Sequence, residues 1–164
     1  MNAPAHTPER TAAPAADHLV VLADQIADGL LDRTLPKARW THEGHLLACI
    51  ALVRRHGAAD ALRFLRGAIP LYNEATGVAN TLDSGYHDTI TVYFVWAIDR
   101  LLTAGVTTPA IVSDPSVERT ALLGWWDRDT LMSRAARAAW LAPTGGDNAG
   151  PIPTEWLRPE LSAI

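Results

Sequence analysis

The chain has a single cysteine, Cys49, among its 164 residues, so no intramolecular disulfide can form. Disulfides persist in secreted and other extracytoplasmic proteins, and their exclusion here fits a reducing cytoplasm. No stretch of sequence reaches the ~18 or more consecutive apolar residues of a membrane span. Residues 1–16, rich in Ala and Pro, lack the basic start and the apolar run of a signal peptide. These absences predict a cytoplasmic protein of bacterial type.

The sequence also lacks any long basic run, and its formal net charge is −4 at pH 7. Proteins that bind nucleic acid or an anionic membrane surface carry clustered Lys and Arg, so we expect neither as a partner. Hydrophobic residues make up 48% and charged residues 20% of the chain, as in a typical globular protein. The length fits one domain with a sizeable core.

Apolar residues recur at helical spacing in several segments, which predicts an all-α fold. The predicted helices cover residues 18–32, 42–55, 58–76, 85–103 and 127–141, with a further short helix within 115–124. The short connections favour an antiparallel bundle of about five helices. The predicted domain organisation is a disordered tail at 1–16, the helical domain at 17–142 and an irregular Pro- and Gly-rich tail at 143–164 that packs on the bundle.

Residues with special backbone or capping properties set the predicted helix ends. Thr41 is a natural N-cap for the second helix, and Gly57 is its C-terminal stop. Pro70 falls inside the third helix and predicts either a kink or two shorter helices. The fourth helix is predicted to begin near residue 85, with Ser84 or Asp83 as its cap.

Three histidines fall at helix ends that this topology brings together. Antiparallel packing places the start of the second helix, the end of the third and the start of the fourth at one end of the bundle. His42 and His45 are three residues apart, so their Cβ atoms lie about 5–6 Å apart on one helix face. The positive end of a helix dipole disfavours imidazolium, and neutral imidazole is the form that binds metals. We therefore predict that His42, His45 and His87 hold a divalent first-row transition metal (Zn, Cu, Fe or Ni) with an open coordination position.

Other polar side chains at the same predicted end supply candidates for catalysis and substrate binding. Carboxylates there can act as acid or base or can orient an imidazole, and hydroxyl and amide groups can bind a substrate oxygen. The candidate catalytic residues are Glu43, Glu74, Tyr86 and Asp88. The candidate substrate-binding residues are Trp40, Tyr72 and Asn73. The sequence thus predicts a small metal-dependent enzyme that acts on a small polar molecule.

Two other interpretations stay open. The same residues can form a metal-free pocket, catalytic or not, in which two helix N-termini hold an anionic small-molecule ligand. Alternatively, the protein has no chemistry and its C-terminal tryptophans form the surface of a homo-oligomer. Those tryptophans are Trp125, Trp126, Trp140 and Trp156. Glu43 and Asp88 also have a purely structural explanation, because a carboxylate in the first turn of a helix is stabilised by the dipole.

Four short motifs resemble those of a set of small bacterial proteins of unassigned function. The motifs are Trp-Thr-His-x-x-His-Leu at 40–46, Tyr-Asn-Glu-Ala at 72–75, Gly-Val-Ala-Asn-Thr at 77–81 and Gly-Tyr-His-Asp-Thr-Ile-Thr at 85–91. The resemblance covers about residues 35–102. The histidine spacing at 42–45 is one residue shorter than in zincins. The paired Glu-x-x-His motifs of bundle-type di-iron proteins are missing too, so the sequence argues against both classes.

Overall fold

The computed structural model describes residues 13–144, and every regular element among them is helical. The α-helices are α1 Ala13–Leu31, α2 His42–His56, α3 Ala58–Ala75, α4 Asp88–Thr103, α5 Thr108–Val112, α6 Arg128–Leu131 and α7 Arg134–Ala138. Short 3₁₀ turns lie at Lys37–Arg39, Pro115–Val117 and Ala121–Gly124. The predicted all-α class is confirmed. Four helices are long, α1 to α4, and none of the described helices is long and apolar enough to cross a membrane.

Helix α2 lies at the centre of the bundle. It packs against α1, α3 and α4, and its residues 46–53 are all buried. A helix that is apolar on every side belongs inside a core rather than at its surface. The more polar ends of α2 are therefore the parts that can contribute to a site.

The predicted ends of α2 and α3 agree with the structure. The Thr41 hydroxyl accepts a hydrogen bond from the Gly44 amide, and Gly57 ends α2 with φ 77°. At the end of α3, the Val78 amide donates to the Asn73 carbonyl in a Schellman motif. α3 continues through Pro70 as one helix, so the alternative of two shorter helices was wrong.

The predicted start of α4 near residue 85 was wrong. α4 begins at Asp88, and its N-cap is His87 rather than Ser84 or Asp83. Gly85 has φ 79°, and a Cβ at that position would lie 2.5 Å from the Ala79 carbonyl oxygen. The chain therefore turns tightly at Gly85 and becomes helical only after His87.

The predicted helix at 127–141 was also wrong, because two separate caps divide this segment. Asp127 caps α6 by accepting from the Thr130 amide, and Ser133 caps α7 by accepting from the Ala136 amide. The short helix expected within 115–124 is replaced by two 3₁₀ turns. Ser, Thr and Asp compete locally for backbone amides, which favours short helices over one long helix.

Residues 115–141, which we call the cover, fold back over the bundle. Side chains of α4 fasten this segment by donating to its backbone carbonyls. The Tyr93 hydroxyl donates to Ser116 O at 2.9 Å, and the Thr89 hydroxyl donates to Ala139 O at 3.0 Å. The cover is therefore part of the core structure and closes one side of the space above α2 and α4.

The predicted tails lie largely outside the described residues. Only positions 13–16, which belong to α1, and positions 143–144 fall inside them. The tryptophans assigned to an oligomer surface can be placed except for Trp156. Trp126 is buried, with its ring edge against Tyr93 and Trp140. Trp126 therefore serves the core beneath the cover, and the homo-oligomer stays a prediction.

Candidate functional site

A cavity of about 370 Å³ lies between α2, α3, α4 and the cover. Its walls are mainly apolar, and its polar lining comes from the first turn of α2, from α4 and from the cover. The lining residues are Trp40, Thr41, His42, His45, Leu46, Cys49, Leu65, Ile69, Ile90, Thr91, Phe94, Arg119, Leu122, Leu131 and Met132. A space of this size and character is typical of sites for small organic molecules.

His45 occupies the cavity with a defined tautomer. Its Nδ1 lies 2.6 Å from the Thr41 carbonyl oxygen, and a carbonyl only accepts, so Nδ1 carries the proton. In the neutral ring, Nε2 is then a hydrogen-bond acceptor, and no group of the described chain hydrogen-bonds to it. The ring packs on Trp40 at a centroid distance of 3.7 Å with the two ring planes tilted by 30°, which further restricts its orientation.

The surroundings of His45 favour the neutral ring. Loss of water contact against the cavity walls is the largest cause that lowers the pKa of His45 below 6.5. The bond to Thr41 opposes this shift in pKa, while the nearby His42 and Arg119 add to it. His45 nevertheless counts as exposed, and it lines the cavity. The result is a neutral acceptor nitrogen beside an apolar space.

His42 uses one ring nitrogen to hold the cover. Its Nε2 donates to the Val117 carbonyl oxygen at 2.9 Å, which leaves Nδ1 as the acceptor in the neutral ring. The ring also packs edge-on against Phe94 at 5.5 Å. His42 and His45 therefore share the cavity, as predicted from their spacing, but each already has a structural bond.

His87 is placed elsewhere, and both of its ring nitrogens are engaged. Nε2 donates to the Leu131 carbonyl oxygen at 2.9 Å, and Nδ1 accepts from the Ile90 amide at 3.4 Å as the N-cap of α4. His87 is buried and does not line the cavity. The structure thus brings His42 and His45 together but does not bring His87 to them.

The offset of His87 comes from the axial position of α4 relative to α2. His42, the first residue of α2, is level with Phe94 rather than with the start of α4. Phe94 is seven residues after His87, which corresponds to about 10 Å along a helix axis. α4 therefore extends roughly two turns beyond the first turn of α2, and Ile90 and Thr91 line the cavity instead.

Asp88 and Tyr86, two of the predicted catalytic residues, belong to a buried ion-pair network. Arg66 donates to both oxygens of Asp88 at 2.8 and 2.9 Å, and the Tyr86 hydroxyl donates to Asp88 Oδ1 at 2.8 Å. Burial, followed by the charge of Asp88, raises the pKa of Tyr86. Hydrogen bonding to Asp88 is the largest cause that raises the pKa of Arg66. These groups fasten the start of α4 to α3 and do not line the cavity.

The other predicted site residues either make hydrogen bonds within the fold or lie at the surface. The Tyr72 hydroxyl donates to the Leu35 carbonyl oxygen at 3.0 Å, and its ring packs against Trp40. The Asn73 amide donates to Asn80 at 2.9 Å. Glu43 and Glu74 are exposed and do not line the cavity. Of the three predicted substrate-binding residues, only Trp40 is in the cavity walls, because Tyr72 and Asn73 do not line the cavity either.

Arg119 is the cavity residue that the sequence did not reveal. It is exposed and lines the cavity from the cover, between two 3₁₀ turns. Arg119 lies in a turn rather than in a helix, so apolar periodicity could not indicate that its side chain lines the cavity. Cys49 also lines the cavity, but burial raises the pKa of its thiol. Cys49 therefore behaves as a small apolar group at neutral pH.

Few side-chain atoms around the cavity are free to bind the predicted metal ion. Among residues 13–144 no group of three or more His, Cys, Asp or Glu side chains could hold a metal ion. His42 and His45 each have one nitrogen to offer, and the lone pair on Nδ1 of His87 is already used by the Ile90 amide. The three-histidine metal centre stays a prediction, without a third imidazole at the cavity to support it.

Comparisons with models of known protein families, with curated proteins and with solved structures found no match to this chain. The resemblance to small bacterial proteins of unassigned function therefore stays a prediction, and the functional argument depends on the cavity itself.

Proposed function

We propose that the cavity binds a small, mainly apolar organic molecule and that His45 Nε2 accepts a hydrogen bond from a hydroxyl or amino group of that molecule. The observation that carries the proposal is the bond from His45 Nδ1 to the Thr41 carbonyl, because it fixes the tautomer and leaves Nε2 as an acceptor. The cavity volume of about 370 Å³ and the apolar walls support it.

This proposal takes up the metal-free interpretation and departs from the metal-dependent enzyme. A neutral imidazole whose N–H is held by a carbonyl is also a suitable general base. If the bound molecule carries an acidic proton within reach of Nε2, His45 can accept that proton without the help of a metal. The buried free thiol of Cys49 supports a reducing compartment, which we propose is the cytoplasm.

A matched pair of probes tests the role of His45. Para-ethylphenol and para-ethylanisole have nearly the same apolar body, but only the phenol donates a hydrogen bond. We expect the wild type to bind the phenol about three- to tenfold more tightly in calorimetric titrations, since a neutral hydrogen bond contributes about 0.5–1.5 kcal/mol. Chemical-shift changes at the methyl groups of Leu65 and Ile69 will show whether the probe is in the cavity.

Two variants separate the hydrogen bond from the shape of the pocket. His45→Phe keeps a ring against Trp40 but removes both nitrogens, so it should bind the two probes equally. His56→Phe changes a histidine at the opposite end of α2 and should retain the wild-type preference. If neither probe binds, the pocket proposal fails; if the wild type binds both equally, the assigned role of His45 fails.

A metal titration distinguishes the metal-dependent interpretation. Zn²⁺ that binds the wild type with one-to-one stoichiometry, and does not bind the His42→Ala/His45→Ala double variant, would favour a metal centre over the present proposal. We expect instead only weak binding that does not depend on these two residues together.

A further inference from the structure

We propose that the ligand is a carboxylic acid with an apolar body, and that Arg119 pairs with its carboxylate at the cavity wall. This inference rests on the proposed function, because it names the chemical class of molecule that the same cavity takes.

The charges around the cavity favour an anion. The lining includes one charged residue, Arg119, and no Asp or Glu. It also includes Thr41 and His42 from the first turn of α2, where the helix dipole presents its positive end. Glu43 and Glu118 are close in sequence to these groups, but both are exposed and neither lines the cavity. A carboxylate in the cavity would therefore meet positive charge without a competing anion in the walls.

Arg119 is available to such a ligand. Five other arginines form ion pairs with aspartates, namely Arg54, Arg55, Arg63, Arg66 and Arg134. Within residues 13–144, Arg119 has no hydrogen bond, ion pair or ring contact. Its charge nevertheless reaches the site, because it contributes, after burial and His42, to the lowered pKa of His45. A guanidinium can bind a carboxylate through two parallel hydrogen bonds.

The apolar walls explain why the ligand should be an amphiphilic acid rather than a small inorganic anion. Leu65, Ile69 and Phe94 line the cavity together with the apolar side chains of the cover. An inorganic anion would leave these walls without apolar contact and would remain better solvated in water. A carboxylic acid with an aromatic or branched body covers the walls and places its charge at Arg119.

Hydrocinnamate and its neutral amide, hydrocinnamamide, test this assignment. They share one apolar body, and only hydrocinnamate is charged. The amide NH2 group can also donate to His45 Nε2, which the carboxylate cannot, so a preference for hydrocinnamate would appear in spite of that bond. In calorimetric titrations at low ionic strength we expect the wild type to bind hydrocinnamate about tenfold more tightly than the amide, equivalent to about 1.4 kcal/mol. The preference should shrink in high salt, because Arg119 is exposed and its charge is screened.

Three variants make the test specific. Arg119→Gln should abolish the preference for hydrocinnamate while leaving the affinity for the amide within about twofold of the wild type. Arg119→Lys should keep part of the preference, since it keeps the charge but not the bidentate geometry. Arg128→Gln removes one positive charge from an exposed residue outside the lining and should behave as the wild type.

The outcomes separate the two proposals. If the amide binds in the cavity but the wild type shows no preference for hydrocinnamate, or if Arg119→Gln keeps that preference, the carboxylate assignment is overturned and the pocket stands. If neither compound binds to the wild type, the pocket proposal falls together with the carboxylate assignment.

Discussion

Acidification should destabilise the fold through His87, which acts in two hydrogen bonds at once. Nε2 donates to the Leu131 carbonyl of the cover, and Nδ1 accepts from the Ile90 amide in the first turn of α4. Only the neutral ring can do both, because a proton on Nδ1 would face the Ile90 amide with another donor. His87 as a residue is 7% exposed, so water cannot easily replace the lost bond.

The sign and size of the effect follow from the lowered pKa of His87. Burial is the largest cause of its shift below 6.5, and the charge of Arg137 adds to it, whereas the bond to Leu131 opposes it. The folded state then binds fewer protons than the unfolded state in acid. The contribution of His87 is therefore complete above about pH 6.5 and is lost as the pH falls towards the folded-state pKa. From about pH 7.5 to about pH 5.5 this loss is at most about 1.4 kcal/mol in the free energy of unfolding.

Urea denaturation of the wild type and of His87→Asn at both pH values measures how much His87 contributes to this loss in the free energy of unfolding. Asn retains a side-chain oxygen for the Ile90 amide and is a good N-cap, but it does not titrate in this range. At the higher pH the variant should be less stable by about 1–2 kcal/mol, because the Leu131 carbonyl loses its donor. On acidification the variant should lose up to about 1.4 kcal/mol less than the wild type.

The remaining acid sensitivity of His87→Asn is expected from His45, whose pKa is also lowered. The difference between the two proteins therefore isolates His87. Gly67→Ala, which leaves every titratable group in place and meets no atom within 4 Å, serves as the control and should lose as much stability on acidification as the wild type. An equal loss in His87→Asn and the wild type would refute the assigned bonds.

Three further substitutions test the structural role of residues near the site, each by urea denaturation at neutral pH. Asp88→Asn should lower the free energy of unfolding by about 2–3 kcal/mol, because the half-buried Arg66 would lose its carboxylate partner. A loss smaller than about 0.5 kcal/mol would contradict the stabilising role of this ion pair. Gly44→Ala should lower the free energy of unfolding by more than about 2 kcal/mol, since its Cβ would collide with the Arg39 carbonyl oxygen. No change in stability would mean that the 3₁₀ turn at Lys37–Arg39 can move away from the new methyl group. Gly67→Ala meets no atom within 4 Å and should instead stabilise the protein by about 0.5–1 kcal/mol.

The sequence was most informative where a local interaction decides the structure. Thr41 and the Gly44 amide belong to one turn, so the start of α2 could be predicted from side-chain chemistry alone. Gly57 ends α2 for an equally local reason, its positive φ. The start of α4 was missed because it depends on a contact between separate parts of a loop, where Gly85 lies against the Ala79 carbonyl.

The candidate site was predictable only in part, for a related physical reason. The spacing of His42 and His45 on one helix fixes their proximity. The distance from them to His87 depends on how far α4 is displaced along α2, and loop length alone does not determine that displacement. The place of Arg119 in the cavity wall could not be predicted from the sequence. The position of the cover depends on hydrogen bonds from distant side chains to its backbone carbonyls, and such bonds leave no periodic pattern in the sequence.

The structural use of the histidines also explains why their spacing resembled a metal motif. The 3₁₀ turns and short helices of the cover leave carbonyls, such as those of Val117 and Leu131, without partners from regular helix. A histidine at the start of a bundle helix can donate to such a carbonyl, as His42 and His87 do. His45 instead donates back to Thr41 and keeps its second nitrogen for the cavity. Of the three imidazoles, His45 is therefore the one whose loss should change what the cavity binds, while loss of either of the others should first loosen the cover.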